Sequence, residues 1–212
     1  MAGENDARNL VIRLVETIEG NKAWLSEIDG AIGDGDHGIN MAKGFGMARE
    51  KIDEHPNDFS AQFRHVGMTL VTNIGGAMGP IYGTLFMKMG KAVEGKKDLE
   101  EDDVLHMLTE ALAGVKKRGG AEVGDKTLVD TLARAEEGYR KALESGKNFG
   151  AALDALIESA RLGMESTKEL VAKKGRSSRL GERSRGVIDA GSASCYLILK
   201  TIAQHLKKSL QV

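Results

Sequence analysis

The stretch Gly33-Asp34-Gly35-Asp36-His37-Gly38 sets two carboxylates at alternate positions among glycines, and a third, Asp29, stands just before it. Oxygen donors on a chain that can turn sharply suit a hard cation. Mg²⁺ takes one or two carboxylates and completes its shell with water and substrate phosphates. The same stretch satisfies G-x-G-x-x-G, in which backbone amides receive a pyrophosphate. That reading needs a preceding strand and a βαβ unit, whereas the residues before it, "NKAWLSEIDGA", are helical and polar. A calcium loop of the EF-hand type is excluded as well, because its twelfth position, counted from Asp34, is Phe45 and not a bidentate glutamate. A cradle of Asp29, Asp34 and Asp36 would bind phosphate through a cation; the bland alternative is three solvated aspartates. His37 alone says little, since histidine is often a local hydrogen-bonder.

Two further segments complement the cradle. Gly75, Gly76, Ala77 and Gly79 lead into a helix at Pro80, and exposed amides at a helix N-terminus form an anion site. A metal cradle with an amide nest describes a polyphosphate site, hence a nucleotide. The segment 173–191 carries Lys173, Lys174, Arg176, Arg179, Arg183 and Arg185. A nucleic-acid patch would call for interleaved aromatics, which are missing there, so a lid that neutralises a transferred phosphoryl group is the more economical reading. "GKAVEGKK" (90–97) falls short of a Walker A loop because Lys97 replaces the required Ser or Thr.

These segments need a scaffold, and helical spacing recurs throughout. Aromatic residues make up only 4%, and strand-like alternation is scarce. Leu10, Leu14 and Ile18 mark a first helix near 4–28; Met41, Phe45 and Ile52 a second, ending at "HPND"; Phe59, Phe63, Val66 and Leu70 a third. A fourth begins at Pro80, a favourable first-turn proline. Leu105, Leu108, Leu112 and Val115 mark a fifth; Leu128, Leu132, Ala135 and Tyr139 a sixth. A seventh runs from Leu153 towards Val171, and the last spans about 190–209. The expected fold is all-α, an antiparallel up-and-down barrel or bundle of eight helices. In it the loops 29–38, 74–80, 119–126 and 173–191 share one rim, which becomes the nucleotide site.

The 212 residues show no composition break and are expected to form one domain, 1–212. Thirty basic against 31 acidic residues give a net charge of −1, which offers no broad attraction to nucleic acid or an anionic membrane. No apolar run approaches a membrane span and "MAGENDARNL" lacks a signal-peptide core. Cys195, in "ASCYLILK", reads as a reduced core thiol. A cytoplasmic location is expected.

Taken in order, "IGDGDHG.NM..GF", "GMTL....GGA.GP.YGT", "RG.AE.GDKT..D" and "KGR.S.LGERS" resemble the nucleotide-binding L subunits of bacterial dihydroxyacetone kinases over nearly the whole chain. The resemblance implies a barrel of eight helices holding ADP and two Mg²⁺ ions at one end. It implies that a phosphotransferase-system M subunit phosphorylates the ADP in place, and that the resulting ATP passes its γ-phosphoryl group to dihydroxyacetone held on a K subunit. A homodimer is also compatible with it. Position by position, Asp29, Asp34 and Asp36 match the magnesium ligands. His37, Gly38, Ile39, Asn40, Ala77, Met78, Gly119, Leu128, Asp189, Ala190 and Gly191 match nucleotide contacts, and Arg176 matches a lid arginine implicated in transfer. Members often have serine at Met78, proline at Ala190 and an aromatic at Arg179. Rival readings are a nucleotide subunit for another short ketose such as erythrulose, a fatty-acid kinase domain (whose loop tends to read G-D-G-D-T-G), and a non-catalytic Mg-nucleotide sensor.

Overall fold

The computed structural model describes residues 7–54 and 57–210. Local chemistry cuts these into nine α-helices: α1 (Ala7–Gly20), α2 (Lys22–Ile32), α3 (His37–Ala48), α4 (Phe59–Asn73), α5 (Met78–Ala92), α6 (Glu101–Gly119), α7 (Leu128–Glu144), α8 (Phe149–Ser166) and α9 (Ala190–Ser209). No strand occurs among the described residues. Short 3₁₀ turns cover Arg49–Glu54, Thr167–Glu169 and Arg176–Ser184.

The helix expected near 4–28 is two segments. Gly20 and Asn21 are weak helix formers, and the Asn21 side chain donates to the Thr17 carbonyl at 2.7 Å, so a local side-chain bond accompanies the break. The second segment continues to Ile32, which places Asp29 in a helical last turn and not in a loop. The expected start at residue 4 and the His-Pro of "HPND" (55–56) lie outside the described residues. The seventh helix stops at Ser166, short of Val171. There Ser166 and Thr167 turn their hydroxyls back onto the Gly163 and Met164 carbonyls (2.7 and 2.6 Å), which favours a tighter turn over further α-helix.

Counting α1 and α2 as one bent rod gives eight rods. From α3 to α9 each rod packs on its successor, α1 packs on both α3 and α9, and the ring closes. The apolar stripes meet inside: Leu10, Leu14, Phe45, Phe63, Phe86, Leu132, Tyr139 and Ile198 are fully or almost fully buried. Phe45 and Phe63 flank Phe86 with ring centroids 5.6 and 6.1 Å away, the first pair edge-to-face and the second tilted. Cys195 is buried in this core, and burial pushes its thiol pKa up, which keeps it protonated. No helix among the described residues is long and apolar enough to cross a membrane.

Candidate functional site

Because the ring is up-and-down, α3, α5, α7 and α9 all begin at the same end. Each helix start presents unpaired N–H groups and a partial positive charge. Four starts around one space make a strong anion site, and residues from all four line a cavity of about 710 Å³.

The acidic side of this cavity is built by α2 and α3. Asp29 projects from the last turn of α2, Asp34 from the intervening turn, and Asp36 is the N-cap of α3. One carboxylate oxygen from each lies within 4.8 Å of the other two. Asp29 also accepts the His37 amide at 3.3 Å, which fixes the end of α2 against the start of α3. Asp36 makes no side-chain cap bond, so its carboxylate is not committed to its own helix. The close approach of these helices needs Gly38, where a Cβ would lie 2.1 Å from the Lys22 carbonyl oxygen. Three half-exposed or exposed carboxylates, each with an oxygen close to the others, fit the donor set of Mg²⁺.

Facing them, Ala77 caps α5 and has no side chain that could bond the amides of Met78 and Gly79. Gly76 permits this entry by taking φ +66°, a conformation that side chains other than glycine's disfavour. A buried polar chain ties the helix starts together: His37 Nε2 lies 2.8 Å from Ser194 Oγ, which lies 2.5 Å from the Tyr82 hydroxyl. Tyr82 also lies 2.9 Å from the Gly191 carbonyl, to which it donates. Burial lowers the His37 pKa to about 4 against the opposing pull of Asp29, so the imidazole is neutral near pH 7 and serves as a hydrogen-bonding strut.

The third side joins α7 to α9. Thr127 and Asp130 form a reciprocal capping box at the start of α7. Asp189 caps α9 by accepting from Ser192 N–H at 2.7 Å, and the Ser192 hydroxyl donates to the Thr127 carbonyl at 2.6 Å. Burial raises the Asp189 pKa from 3.8 to about 6, opposed by the Ser192 amide and the nearby Lys126 charge. A carboxyl raised this way holds its proton more tightly when folded, so its contribution to stability falls as pH rises from about 4 to 6. Asp189→Asn, which keeps a capping oxygen, should remove that slope. Relative to the variant, wild type is expected to lose on the order of 2 kcal/mol between pH 4.5 and 7, read by urea unfolding. Parallel stability profiles would refute this.

Of the residues singled out in sequence, Asp29, Asp34, Asp36, His37, Asn40, Ala77, Met78, Gly119, Leu128, Arg176, Asp189, Ala190 and Gly191 all border the cavity. Gly38 and Ile39 do not. Gly38 is buried against α2, and Ile39 points outward at 52% exposure. Arg176 lies across the mouth, its guanidinium paired with the Asp34 carboxylate. Sequence reasoning missed Tyr82, Ser194 and Thr127. It also passed over Lys126, which is buried and borders the cavity, with its pKa lowered by burial against the charges of Asp189 and Asp130. Lys126 and Thr127 stand inside the "GDKT" run and Tyr82 inside "GP.YGT", but those runs carry the resemblance without giving the side chains their roles; Ser194 looked like an ordinary position on a helix face.

A family model described as the DAK2 domain matches residues 31–204. The chain is 37% identical over 196 residues to the ADP-binding subunit of PEP-dependent dihydroxyacetone kinase 2 from Listeria innocua, covering 91% of this chain and 90% of that one. It is 34% identical to the ADP-binding subunit of the PEP-dependent enzyme of Escherichia coli, covering 94% and 96%. The dihydroxyacetone kinase of C. freundii superposes with a TM-score of 0.71 at 24% identity. The match covers 93% of this chain and 34% of that longer one.

Proposed function

The chain belongs to the DAK2 domain family, and on that premise we propose that it is the ADP-binding subunit of a phosphotransferase-system-dependent dihydroxyacetone kinase of the cytoplasm. In this reading a nucleotide held at the rim receives a phosphoryl group from an M subunit and delivers it to the ketose on a K subunit. The carrying observation is the meeting of Asp29, Asp34 and Asp36, each with an oxygen within 4.8 Å of the others, with four helix starts around one cavity under an arginine-bearing lid. The coverage of about nine-tenths of the Listeria and Escherichia subunits supports the same assignment.

Each wall then has a task. The carboxylates would hold Mg²⁺, which would supply positive charge to offset that of the nucleotide's phosphates. The first amides of α5 and the start of α3 would bind the phosphates by charge-assisted hydrogen bonds. Leu128, Met78 and the Asp189–Gly191 start of α9 would enclose the nucleoside. Arg176 would place a fixed positive charge over the moving phosphoryl group. In this reading the wall serves the nucleotide, and the K subunit brings the ketose.

Reconstitution tests the assignment. The purified chain alone is expected to turn over no dihydroxyacetone with ATP. Addition of a K subunit, an M subunit and the phosphotransferase donor chain should give turnover that depends on this chain. Turnover by the chain alone refutes the subunit reading. Turnover with erythrulose and not dihydroxyacetone refutes the proposed acceptor. Nucleotide binding with no transfer in the full mixture favours a sensor.

A further inference from the structure

Lys126 is the one non-glycine residue with a left-handed backbone (φ 61°) among the described residues, and it is only 1% exposed. Such strain persists where the surroundings over-determine it, and a buried ammonium persists where it is hydrogen-bonded. Here both trace to the same contacts. Lys126 Nζ donates to the Thr167 carbonyl at 2.5 Å and to the Val187 carbonyl at 2.6 Å.

Those two carbonyls stand at opposite ends of the basic segment that carries Arg176. Other closures of the segment cluster near the same neck. Asp189 N–H donates to Thr167 Oγ1 at 3.0 Å, Gly186 N–H to the Lys168 carbonyl at 2.7 Å, and Ala172 N–H to Ser184 Oγ at 2.9 Å. Next to Lys126 in sequence, the Asp125 carbonyl accepts Lys173 N–H at 3.1 Å. Helix α7 does not itself need the lysine, since Thr127 and Asp130 cap it reciprocally.

We propose that Lys126 is a positioning residue: its ammonium clamps both roots of the 168–186 lid to the start of α7 and so sets where Arg176 stands over the acidic cradle. The inference rests on the lid reading of Arg176 given above. Two carbonyls from distant parts of the chain converge on one point, and a cation with several donors on a flexible stem satisfies both. Methionine matches the stem but donates nothing, so the Val187 carbonyl loses this donor and the Thr167 carbonyl keeps only the Leu170 N–H at 3.2 Å. A lid displaced by about 1 Å at its reacting group costs on the order of a hundredfold in rate.

The test uses the full chain as Lys126→Met, Lys126→Arg and Lys126→Gln. In Lys126→Met, hydrogen exchange at the lid roots (167–171 and 184–189) should rise about tenfold or more, while the interiors of α7 and α9 exchange as in wild type. Mg²⁺-dependent ADP affinity should change by less than about threefold, while single-turnover transfer to the ketose-loaded K subunit falls by about a hundredfold. Lys126→Arg, which keeps charge and donors, should recover most of the root protection. If Lys126→Met does not fold, Lys126→Gln against Lys126→Arg gives the same comparison. Unchanged exchange at the roots overturns the clamp, as does exchange raised equally through α7 and α9. Faster root exchange with transfer at the wild-type rate supports the clamp and overturns the lid's part in transfer. Arg176→Ala is the control, expected to lose transfer with the roots still protected.

Discussion

Asp36→Asn is expected to weaken Mg²⁺-dependent ADP binding by more than about a hundredfold, a loss at or beyond that of a mere outer-shell partner of a metal. Among the acidic residues it is the cleanest probe. Asp29 also holds the His37 amide and Asp34 is paired with Arg176, so changing either alters more than the cradle. Asp36 makes no capping bond to α3, and asparagine is as good an N-cap, so the helix should not suffer. The variant removes a charge that faces a cation but keeps the shape. Calorimetry with ADP in Mg²⁺ and in EDTA separates the cation's share of binding from the amides' share. Affinity like wild type in Mg²⁺ would remove Asp36 from the cradle.

Melting gives the same test independently. A ligand at about a hundredfold over its Kd stabilises the fold by about 2.7 kcal/mol. At about 2–4 °C per kcal/mol for a chain of this size, wild type should gain roughly 5–10 °C in Tm from Mg²⁺ and ADP together. The variant should gain almost nothing while melting normally without ligand. An equal gain in both proteins would be as damaging as unchanged calorimetry.

The sequence foretold the scaffold where one physical signal dominated. Leu10, Leu14, Phe45, Phe63, Phe86 and Leu132 repeat at helical spacing and all face the core, so the rods and their order were legible, and with them the common rim. Boundaries were legible only where a side chain announced them. The capped starts at Thr127 and Asp189 fell where expected, but the break at Asn21 did not. There a single asparagine interrupts an apolar stripe that continues on both sides. The placement of Asp29 followed the same error, since an aspartate beside glycines reads as loop although it closes a helix.

At the site, what was legible was the residue whose charge has no reason to lie in a core. The carboxylates and the lid arginine are of that kind, and the glycine nest was legible from its turn-forming residues. The struts behind them are not: Tyr82 and Ser194 share helical faces with apolar neighbours, and only the folded ring brings Tyr82 within 2.5 Å of Ser194 and Ser194 within 2.8 Å of His37. Lys126 was hidden for a different reason. Its backbone angle cannot be read from a lysine, and both its partners are main-chain carbonyls, which carry no sequence signature.

Arg176→Lys should cost most of the phosphoryl-transfer rate, about 10³-fold, because arginines that stabilise this kind of transition state are worth that much or more. The guanidinium is planar and can bridge two oxygens of a moving phosphoryl group; an ammonium on a flexible stem offers a point charge. Arg176 is 63% exposed along its side chain and pairs with Asp34 across the cavity mouth, so it can reach the phosphate region without being fixed in the wall. That pairing also separates two roles. If Arg176 were chiefly an anchor for nucleotide, Arg176→Ala would lose affinity and rate together. If it acts in transfer, removing it frees the Asp34 carboxylate for the cation, so Mg²⁺-dependent ADP affinity should hold or tighten while the rate collapses. The decisive measurement is single-turnover transfer from the ATP-loaded variant to a ketose-loaded K subunit, with affinity measured on the same preparation. A rate within threefold of wild type would make Arg176 a bystander, and equal losses of rate and affinity would make it an anchor.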